Sequence, residues 1–409
     1  MKEPKIRFKG FQGEWETHAL SEYFKKVCDK NTKMECTIVL TNSAEHGIIP
    51  QNDFFDHAIA NNKNIGGYYI VSPDDFVYNP RVSVTAPVGP INRSLLDFQG
   101  VMSPLYLVFK INTINKDYLN IFYKTNKWHT FMKLEGNCGA RFDRLSISDD
   151  QFVKMPLTHP KDHSEQQSIA SYFQHLDSLI QSTTKKIESL KQVKAASLQS
   201  MFPQEGETTP RVRFKGFEGE WSICPLKYFA KKSTEKNISM DYTITLTNSA
   251  EYGVINQRDF FDHDISNDDH INGYYVIHHD DFVYNPRVST AAPVGPISRN
   301  RLGYSGVMSP LYLIFRVNGI NKDFLSYYFK TTLWHNYMKL EGNTGARFDR
   351  LAISDEQFFN MPIYYPKDEE EQTAIASYFT NLDRQITLHT QRLEKLKQIK
   401  SACLDNMFV

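Results

Sequence analysis

The chain has 409 residues, of which 41% are apolar and 23% are charged, and its 47 basic and 47 acidic side chains give zero formal net charge. This composition is typical of a globular protein with a large core, and the length predicts about two to four domains. Zero net charge argues against a histone-like protein that binds nucleic acid everywhere. It does not exclude a sequence-specific DNA-binding protein, whose phosphate contacts need only a local basic face.

The sequence also predicts where the protein resides. The first residues, MKEPKIRFKG, lack the apolar core of a signal peptide, and no apolar run approaches the roughly 18 residues needed to span a bilayer. The five cysteines form neither a CxxC pair nor a Cys/His cluster with zinc spacing. Free thiols of this kind favour a reducing cytoplasm, so we expect a cytoplasmic protein with no membrane contact.

A tandem duplication organises the sequence. The segment RFKGF begins at Arg7 and again at Arg213, an offset of 206 residues. The segments TNSAE, DDFVYNPRVS, GVMSPLYL, KLEGN and GARFDRL and the dipeptide MF return at the same offset of 206, so the copies align without gaps. This period is far longer than that of solenoids or propellers, and it predicts two domain-sized copies with internal pseudo-symmetry.

Each copy begins with a mixed part. Short apolar and β-branched runs at 37–41, 68–71, 76–78 and 105–109 are separated by Gly, Pro and Asn-Pro turns, and a helical pattern covers 116–134. The sequence therefore predicts an α+β domain over residues 1–160 and a second over 204–366. The polar, turn-rich stretch 203–211 is expected to be the linker between the copies.

The last forty or so residues of each copy follow a heptad pattern instead. Ser164 and Gln167 fit a capping box after Pro160, and Pro203 ends the first pattern. We predict one long helix within each of the segments 161–203 and 367–409, about 55–60 Å long at 1.5 Å per residue. Their predicted seam positions are Ile169, Phe173, Leu176, Ile180, Ile187, Leu190, Ile375, Phe379, Leu382, Ile386, Leu393 and Leu396.

Two arrangements of these helices are possible. Each helix could pack on its own domain, or the two could pair with each other. A single short domain could hardly cover so long a helix, and a partner with the same heptads lies in the same chain, so we favour pairing. In an antiparallel pair, the two mixed domains would lie at opposite ends.

Motifs for chemistry on DNA are absent from the sequence. It contains no GxxxxGK[ST] phosphate loop. The nearest match to the Asn/Asp-Pro-Pro-aromatic tetrapeptide of adenine methyltransferases is Asn79-Pro80-Arg81, with its twin at Asn285, and it lacks both the second proline and the aromatic residue. No glycine-rich cofactor loop precedes either copy. We therefore expect a protein without catalytic residues and without a metal site.

A family resemblance now follows from the residues. Each copy ends in a run that includes Met155-Pro156, Glu165-Gln166, Ile169-Ala170, Leu176-Asp177 and Met201-Phe202 in the first copy and recurs from Met361 to Phe408. This run resembles the conserved helical regions of type I restriction-modification specificity subunits. The upstream segments YNPRVS and GVMSPLYLVF look like the target-recognition domain of the same family. The resemblance covers nearly the whole chain.

The resemblance implies the following fold and partners. The fold would be α+β, with two similar mixed α/β DNA-recognition domains separated by a long antiparallel two-helix coiled coil in a pseudo-two-fold arrangement. The subunit would bind double-stranded DNA and dock two modification subunits, and restriction subunits could join. The chain itself would bind no cofactor, while S-adenosylmethionine, ATP and Mg are expected on those partners.

Loops that carry hydrogen-bonding and cationic side chains are the candidate DNA contacts. Four segments of each copy qualify: the Thr-Asn-Ser turn, the Asn-Pro-Arg turn, a single arginine after it, and the glycine-containing stretch KLEGN(C/T)GARFDR. The predicted DNA-binding residues are Asn42, Ser43, Asn79, Arg81, Arg93, Lys133, Asn137, Arg141, Arg144, Asn248, Ser249, Asn285, Arg287, Arg299, Lys339, Asn343, Arg347 and Arg350.

Each candidate also has a structural interpretation. Asn42 and Ser43 could form an Asx or Ser/Thr turn, and Arg81 could be a surface or salt-bridged arginine. Arg141 or Arg144 could pair with Asp143 in its own loop. Because these loops are almost the same in both copies, we predict a bipartite target whose halves are identical or nearly identical inverted repeats. An enzyme acting on DNA and a coiled-coil scaffold without a DNA role are the competing classes.

Overall fold

A computed structural model describes residues 3–53, 62–137, 143–260, 268–343 and 349–409. The chain divides into two compact units, Met1–Thr184 with Gln391–Val409, and Lys185–Thr390. Each unit therefore contains one mixed α and β copy together with segments of both long helices.

Ten strands and four α-helices begin in the first unit within the described ranges. They are β1 (Glu16–Ala19), β2 (Phe24–Lys26), β3 (Leu40–Ser43), β4 (Gly47–Pro50), β5 (Tyr69–Val71), β6 (Phe76–Tyr78), β7 (Ile91–Arg93), β8 (Gly100–Met102), β9 (Leu107–Ile111), α1 (Lys116–Phe122), α2 (His129–Glu135), α3 (Asp149–Phe152), β10 (Pro156–His159) and α4 (His163–Ser200), the last continuing into the second unit.

The second unit repeats this order and has one additional short helix, α5, after β14. Its elements are β11 (Ser222–Pro225), β12 (Ala230–Lys232), β13 (Leu246–Ser249), β14 (Gly253–Asn256), α5 (Gln257–Phe260), β15 (Tyr275–Ile277), β16 (Phe282–Tyr284), β17 (Ile297–Arg299), β18 (Gly306–Met308), β19 (Leu313–Val317), α6 (Lys322–Tyr328), α7 (His335–Glu341), α8 (Asp355–Phe359), β20 (Pro362–Tyr365) and α9 (Glu369–Asn406), the last continuing into the first unit.

The sheets of the two units have the same topology. A four-stranded antiparallel sheet has the order β2-β9-β6-β7 in the first unit and β12-β19-β16-β17 in the second. The remaining strands form two-stranded antiparallel sheets, β1-β10, β3-β4 and β5-β8, with matching pairs β11-β20, β13-β14 and β15-β18. Phe76 and Phe109 stack across the central strands at 5.7 Å, and each is fully buried. This sheet forms one wall of the aromatic core.

The long helices are confirmed, and they have 38 residues each. At 1.5 Å per residue each is about 57 Å long. In the first unit, Tyr172 lies 3.6 Å from Cys403, and Asp177 accepts a hydrogen bond from Lys400. A later residue of α4 thus contacts an earlier residue of α9, so the two segments run antiparallel within this unit.

The second unit pairs the other ends of the same helices. Ser197 hydrogen-bonds the hydroxyl of Tyr378 at 3.0 Å, and Lys194 pairs with Asp383. All twelve predicted seam positions are buried or half-buried. Each helix also packs on the core of its own copy, as the buried Phe173 and Phe379 show. The two predicted arrangements thus occur together within each unit, and the mixed α and β fold class is confirmed.

Two local predictions are wrong. The helical pattern over 116–134 is broken between Phe122 and His129, because Lys124 to Lys127 form a polar turn in which the hydroxyl of Thr125 donates to the Phe122 carbonyl at 2.7 Å. The long helix begins before the predicted capping box. Its cap is Asp162, whose carboxylate accepts the Ser164 amide at 2.7 Å, so Ser164 already lies in the first turn.

A buried ion pair fixes the start of each copy to its helix. Arg7 donates two hydrogen bonds to Glu165, at 2.7 and 2.8 Å, and the Glu165 side chain is only 2% exposed. Arg213 and Glu371 repeat the pair at 2.6 and 2.7 Å. This explains why the segments RFKGF and EQ recur together. The arginine of the first and the glutamate of the second can be buried only as a pair.

A pH effect is expected from a lysine beside each helix pair. Burial, together with the nearby positive charge of Lys400, lowers the pKa of Lys124 to about 8, and Lys330 is lowered to about 8 by burial and Lys194. The unfolded chain holds these protons up to about pH 10.4, so stability should rise as pH increases from 8. Denaturant unfolding from pH 8 to 9.5 checks this. The Lys124→Met and Lys330→Met variants should lose part of that rise, and identical pH profiles for variants and parent would contradict it.

Candidate DNA interface

Two of the predicted loop segments are joined to each other. The Val82 amide donates to the Asp143 carbonyl and the Leu145 amide to the Pro80 carbonyl, both at 2.9 Å. This bridge places Arg81 opposite Arg144. The second unit repeats both bonds at 2.9 Å and places Arg287 opposite Arg350. Residues 63 positions apart in the sequence thus form one paired surface in each unit.

The arginine side chains of this surface contact water. Arg81 and Arg287 are exposed, and the side chain of Arg144 is 39% exposed. Its Nε lies 4.0 Å from the Asp143 carboxylate, and Arg350 lies at the same 4.0 Å from Asp349. This is the outer limit of an ion pair, so both guanidinium groups keep most of their donors for another acceptor.

The neighbouring helix end adds further polar groups. Lys133 and Lys339 are exposed in the last turns of α2 and α7. Asn137 exchanges two backbone hydrogen bonds of 2.8 Å with Ser146, and Asn343 does the same with Ala352. The predicted Arg141 and Arg347 lie outside the described residues.

Asn79 and Asn285 orient the arginine turns. The Asn79 carboxamide oxygen accepts the Arg81 amide at 3.0 Å, and its nitrogen donates to the Asn42 carbonyl at 2.9 Å. Asn285 makes the same two bonds at 3.0 Å. An Asx turn of this kind fixes the backbone at the arginine, so the asparagine positions Arg81 rather than pointing outward itself.

Gly89 lies directly under this turn, and its replacement should disturb it. Its φ is +81°, and an added Cβ would lie 2.1 Å from the Asn79 carbonyl oxygen. Gly89→Ala should therefore cost about 2 kcal/mol or more, from backbone strain and overpacking. Gly295→Ala should act equally in the second unit, since its contact is also 2.1 Å.

Chemical denaturation of both glycine variants measures this cost. Gly67→Ala is the control, because nothing lies within 4 Å of its Cβ position and its φ is not in the left-handed range. A loss in the Gly89→Ala variant no larger than in this control would contradict the proposed close approach.

The Thr-Asn-Ser segment has an internal role in the structure. Asn42 is 2% exposed, and its amide nitrogen donates to the Val77 carbonyl at 2.7 Å. Asn248 is equally buried and donates to Val283 and Pro296. The hydroxyls of Ser43 and Ser249 accept two backbone amides each, at 3.3 Å, and so form the Ser/Thr turn. The two asparagines hold the hairpin against the sheet.

Arg93 and Arg299 also form hydrogen bonds and ion pairs within the protein. Arg93 donates to Asp74 at 2.8 Å and to Asp117 at 2.7 Å, and its side chain is 13% exposed. Arg299 binds Asp280 and Asp323 in the same way. Although burial opposes it, the hydrogen bond from Arg93 holds the pKa of Asp74 below its usual range. These pairs explain the geometry of both arginines without DNA.

Sequence comparison assigns a family to the second copy. Residues 220–398 match the family model for the type I restriction modification DNA specificity domain. The second copy is therefore similar to that domain. The predicted resemblance to specificity subunits is thereby confirmed. The prediction of a non-catalytic specificity subunit is also confirmed, because the matched model is that of a specificity domain.

A solved structure with a TM-score above 0.5 has a fold related to that of this chain. The type I restriction-modification S subunit from M. genitalium has 12% identity and a TM-score of 0.56, with 100% of this chain and 99% of that chain covered. The HsdS subunit from Thermoanaerobacter tengcongensis has 15% identity, 96% coverage of both chains and a TM-score of 0.49. No curated protein sequence gives a significant match.

Sequence reasoning missed some polar residues that support the loops. Lys124 donates to the carboxamide of Asn92, which in turn donates to Asn42 at 2.6 Å. Lys124 follows an apolar helix and Asn92 lies inside a strand, and neither position belongs to a recognisable sequence motif. Within the described ranges, no group of three or more His, Cys, Asp or Glu side chains could hold a metal ion, and no helix could cross a membrane.

Proposed function

We propose that this specificity protein reads a bipartite DNA target, with one half read by each unit. The observation that carries the proposal is the joined loop pair of each unit, which places an exposed arginine opposite a half-exposed one. Arginine can bind guanine bidentately or clamp a phosphate, and neither group needs a basic protein overall. Lys133, Asn137 and Arg141, with Lys339, Asn343 and Arg347, would extend the same surface.

The two halves of the target would be nearly identical inverted repeats. The segments YNPRVS and GARFDR recur unchanged, and both units hold Arg81 and Arg287 in the same turn geometry. The inversion rests on the two-fold symmetry expected from the sequence. His46, replaced by Tyr252, and Cys138, replaced by Thr344, would alter single bases; the latter pair lies outside the described residues.

The partners would perform the chemistry. We propose that two modification subunits bind this chain and methylate adenine with S-adenosylmethionine, and that restriction subunits with ATP and Mg can join. The protein would act in the cytoplasm. The hypothesis of a self-contained methyltransferase predicts label transfer from S-adenosylmethionine to DNA by the purified chain alone, and our proposal predicts none.

Mapping methylated adenines in a host that carries the complete system tests this function. We expect a two-part motif with a fixed spacer and similar inverted halves. Two unrelated halves would contradict the inverted-repeat part alone. A purified chain that shifts all DNA duplexes equally would contradict sequence reading and favour the scaffold hypothesis.

A further inference from the structure

One buried side chain differs between the otherwise matching loop supports. In the first unit, Asn92 is 3% exposed and lies on β7, beside the β3–β4 hairpin. Its nitrogen donates to the carboxamide oxygen of Asn42 at 2.6 Å and to the Ser43 carbonyl at 3.0 Å. Its own oxygen accepts from Lys124. Asn92 therefore ties the tip of this hairpin to the sheet and to α1's C-terminal turn.

In the second unit the tie is missing. The equivalent residue is Ser298, and Asn248 Oδ1 is buried without a hydrogen-bond partner among the described residues. The orientation of the Asn248 amide is fixed, because its nitrogen donates to Val283 and Pro296 at 3.1 and 3.0 Å. In the first unit, the equivalent oxygen of Asn42 accepts a hydrogen bond from the Asn92 nitrogen. Ser298 supplies no such donor to Asn248. Lys330 is the equivalent of Lys124, and its Nζ lies 3.7 Å from the Oδ2 of Asp383.

The cavity beside this position differs accordingly. Asn92 lines a cavity of about 360 Å³ in the first unit, and Ser298 lines one of about 590 Å³ in the second. The larger cavity extends under the tip of the β13–β14 hairpin, from Ala250 to Ile255. In the first unit only Ala44 of the corresponding tip lines the cavity. The space beside Ser298 therefore reaches further along its hairpin than the space beside Asn92 does.

The other asparagine hydrogen bonds between the hairpin and the sheet are shared. Asn42 and Asn248 bond the same sheet carbonyls, and Asn79 and Asn285 bond the hairpin carbonyl at 2.9 and 3.0 Å. Among these bonds the difference lies at position 92 or 298, and it acts on the hairpin that carries Ser43 and His46, or Ser249 and Tyr252.

We propose that residues 92 and 298 are specificity-determining positioning residues, which make the two half-sites differ at the base pairs nearest the hairpin tip. The inference rests on the proposed function, since it needs a bipartite target. Neither side chain would touch DNA. Asn92 would hold its hairpin in one position against the groove, while the hairpin above Ser298 would adopt another position or several.

Reciprocal exchange tests the proposal in the full chain. Asn92→Ser, Ser298→Asn and the double variant are compared by selection from a library of randomised DNA duplexes, and by hydrogen exchange of both hairpins without DNA. In the parent, amides of the second hairpin should exchange about tenfold faster than those of the first, because a missing buried hydrogen bond favours local opening. The double variant should reverse this order.

The selected motifs should change in one half at a time. Asn92→Ser should alter the preference at one or two base pairs of one half by about tenfold, Ser298→Asn should do so in the other half, and the double variant should exchange the two preferences. The chain provides a matched control two positions along, where Ser94 of the first copy corresponds to Asn300 of the second. Asn300 bonds the carbonyls of His278 and Tyr304, so Ser94→Asn should leave both half-site preferences unchanged.

The possible results distinguish a failure of the proposed function from a failure of the role proposed for residues 92 and 298. A parent chain that selects no sequence at all contradicts the proposed function. A parent that selects two identical halves, or exchange variants that keep the parental motif, overturns the inference and leaves the function intact. Because Ser298→Asn adds a group to an existing cavity, it keeps the test decisive even where Asn92→Ser lowers stability.

Discussion

Replacing Phe408 by Ala is expected to destabilise the first unit by about 3–5 kcal/mol, the usual cost of deleting a buried phenyl group. Phe408 is 2% exposed, and its ring lies 5.5 Å from Tyr118 and 6.0 Å from Phe173. It follows the last helix, yet it completes a core built mainly from residues before 160. Differential hydrogen exchange along the chain, with denaturant titration, measures where and how much stability is lost.

The matched variant is Phe202→Ala, because Phe202 is its equivalent and packs against Trp221 at 5.8 Å and Phe324 at 5.5 Å in the second unit. It should loosen the second unit by a similar amount. Leu388→Ala, at a half-exposed helix position, should change stability by no more than about 0.5 kcal/mol. Loss of protection confined to the second unit in Phe408→Ala would be incompatible with this assignment.

Removing both exposed arginines of the turns should have the second large effect. We expect Arg81→Ala and Arg287→Ala each to weaken specific DNA binding by about 1–3 kcal/mol, so the double variant should bind roughly 30-fold weaker or more if the sites are independent. Fluorescence anisotropy with the selected duplex, at several salt concentrations, measures the loss. Lysine replacements distinguish the two kinds of contact, because lysine keeps a phosphate contact but cannot bind guanine bidentately.

Arg211→Ala is the control for the change in charge. Arg211 is 66% exposed in the linker and pairs only with Glu207 among the described residues. Its removal should change affinity less than twofold at moderate salt. Equal losses from Arg211→Ala and Arg81→Ala would mean that general charge, and not the turn geometry, governs binding.

Much of the fold could be predicted because the sequence repeats a strong pattern. Heptads over 38 residues define the long helices, and seam positions such as Phe173 and Phe379 are fully buried. The predicted strands lie within about two or three residues of β3 and β9, as is usual for boundaries. The break after Phe122 was missed, because a four-residue polar turn does not disturb a periodicity carried by the residues on either side.

The candidate site was only partly predictable. An asparagine or arginine in a loop has the same letter whether it contacts DNA or its own protein. Asn42 and Arg93 illustrate this, since their partners Val77 and Asp117 become neighbours only in the folded sheet. The pairing of Arg81 with Arg144 equally depends on backbone bonds between distant loops. Sequence supplied the residue types, and tertiary contacts decided which of them remain available.

Each unit includes the end of the other copy's long helix, and this has a consequence for synthesis on the ribosome. The second unit is complete once residue 390 has emerged, but the first still lacks residues 391–409. The copy that is translated first is therefore finished last. Until Met407 and Phe408 arrive, the apolar surface that they cover, around Trp15 and Tyr118, stays open to water or to other proteins. Stalling translation shortly before residue 391 should thus leave a nascent chain that binds chaperones through its N-terminal half.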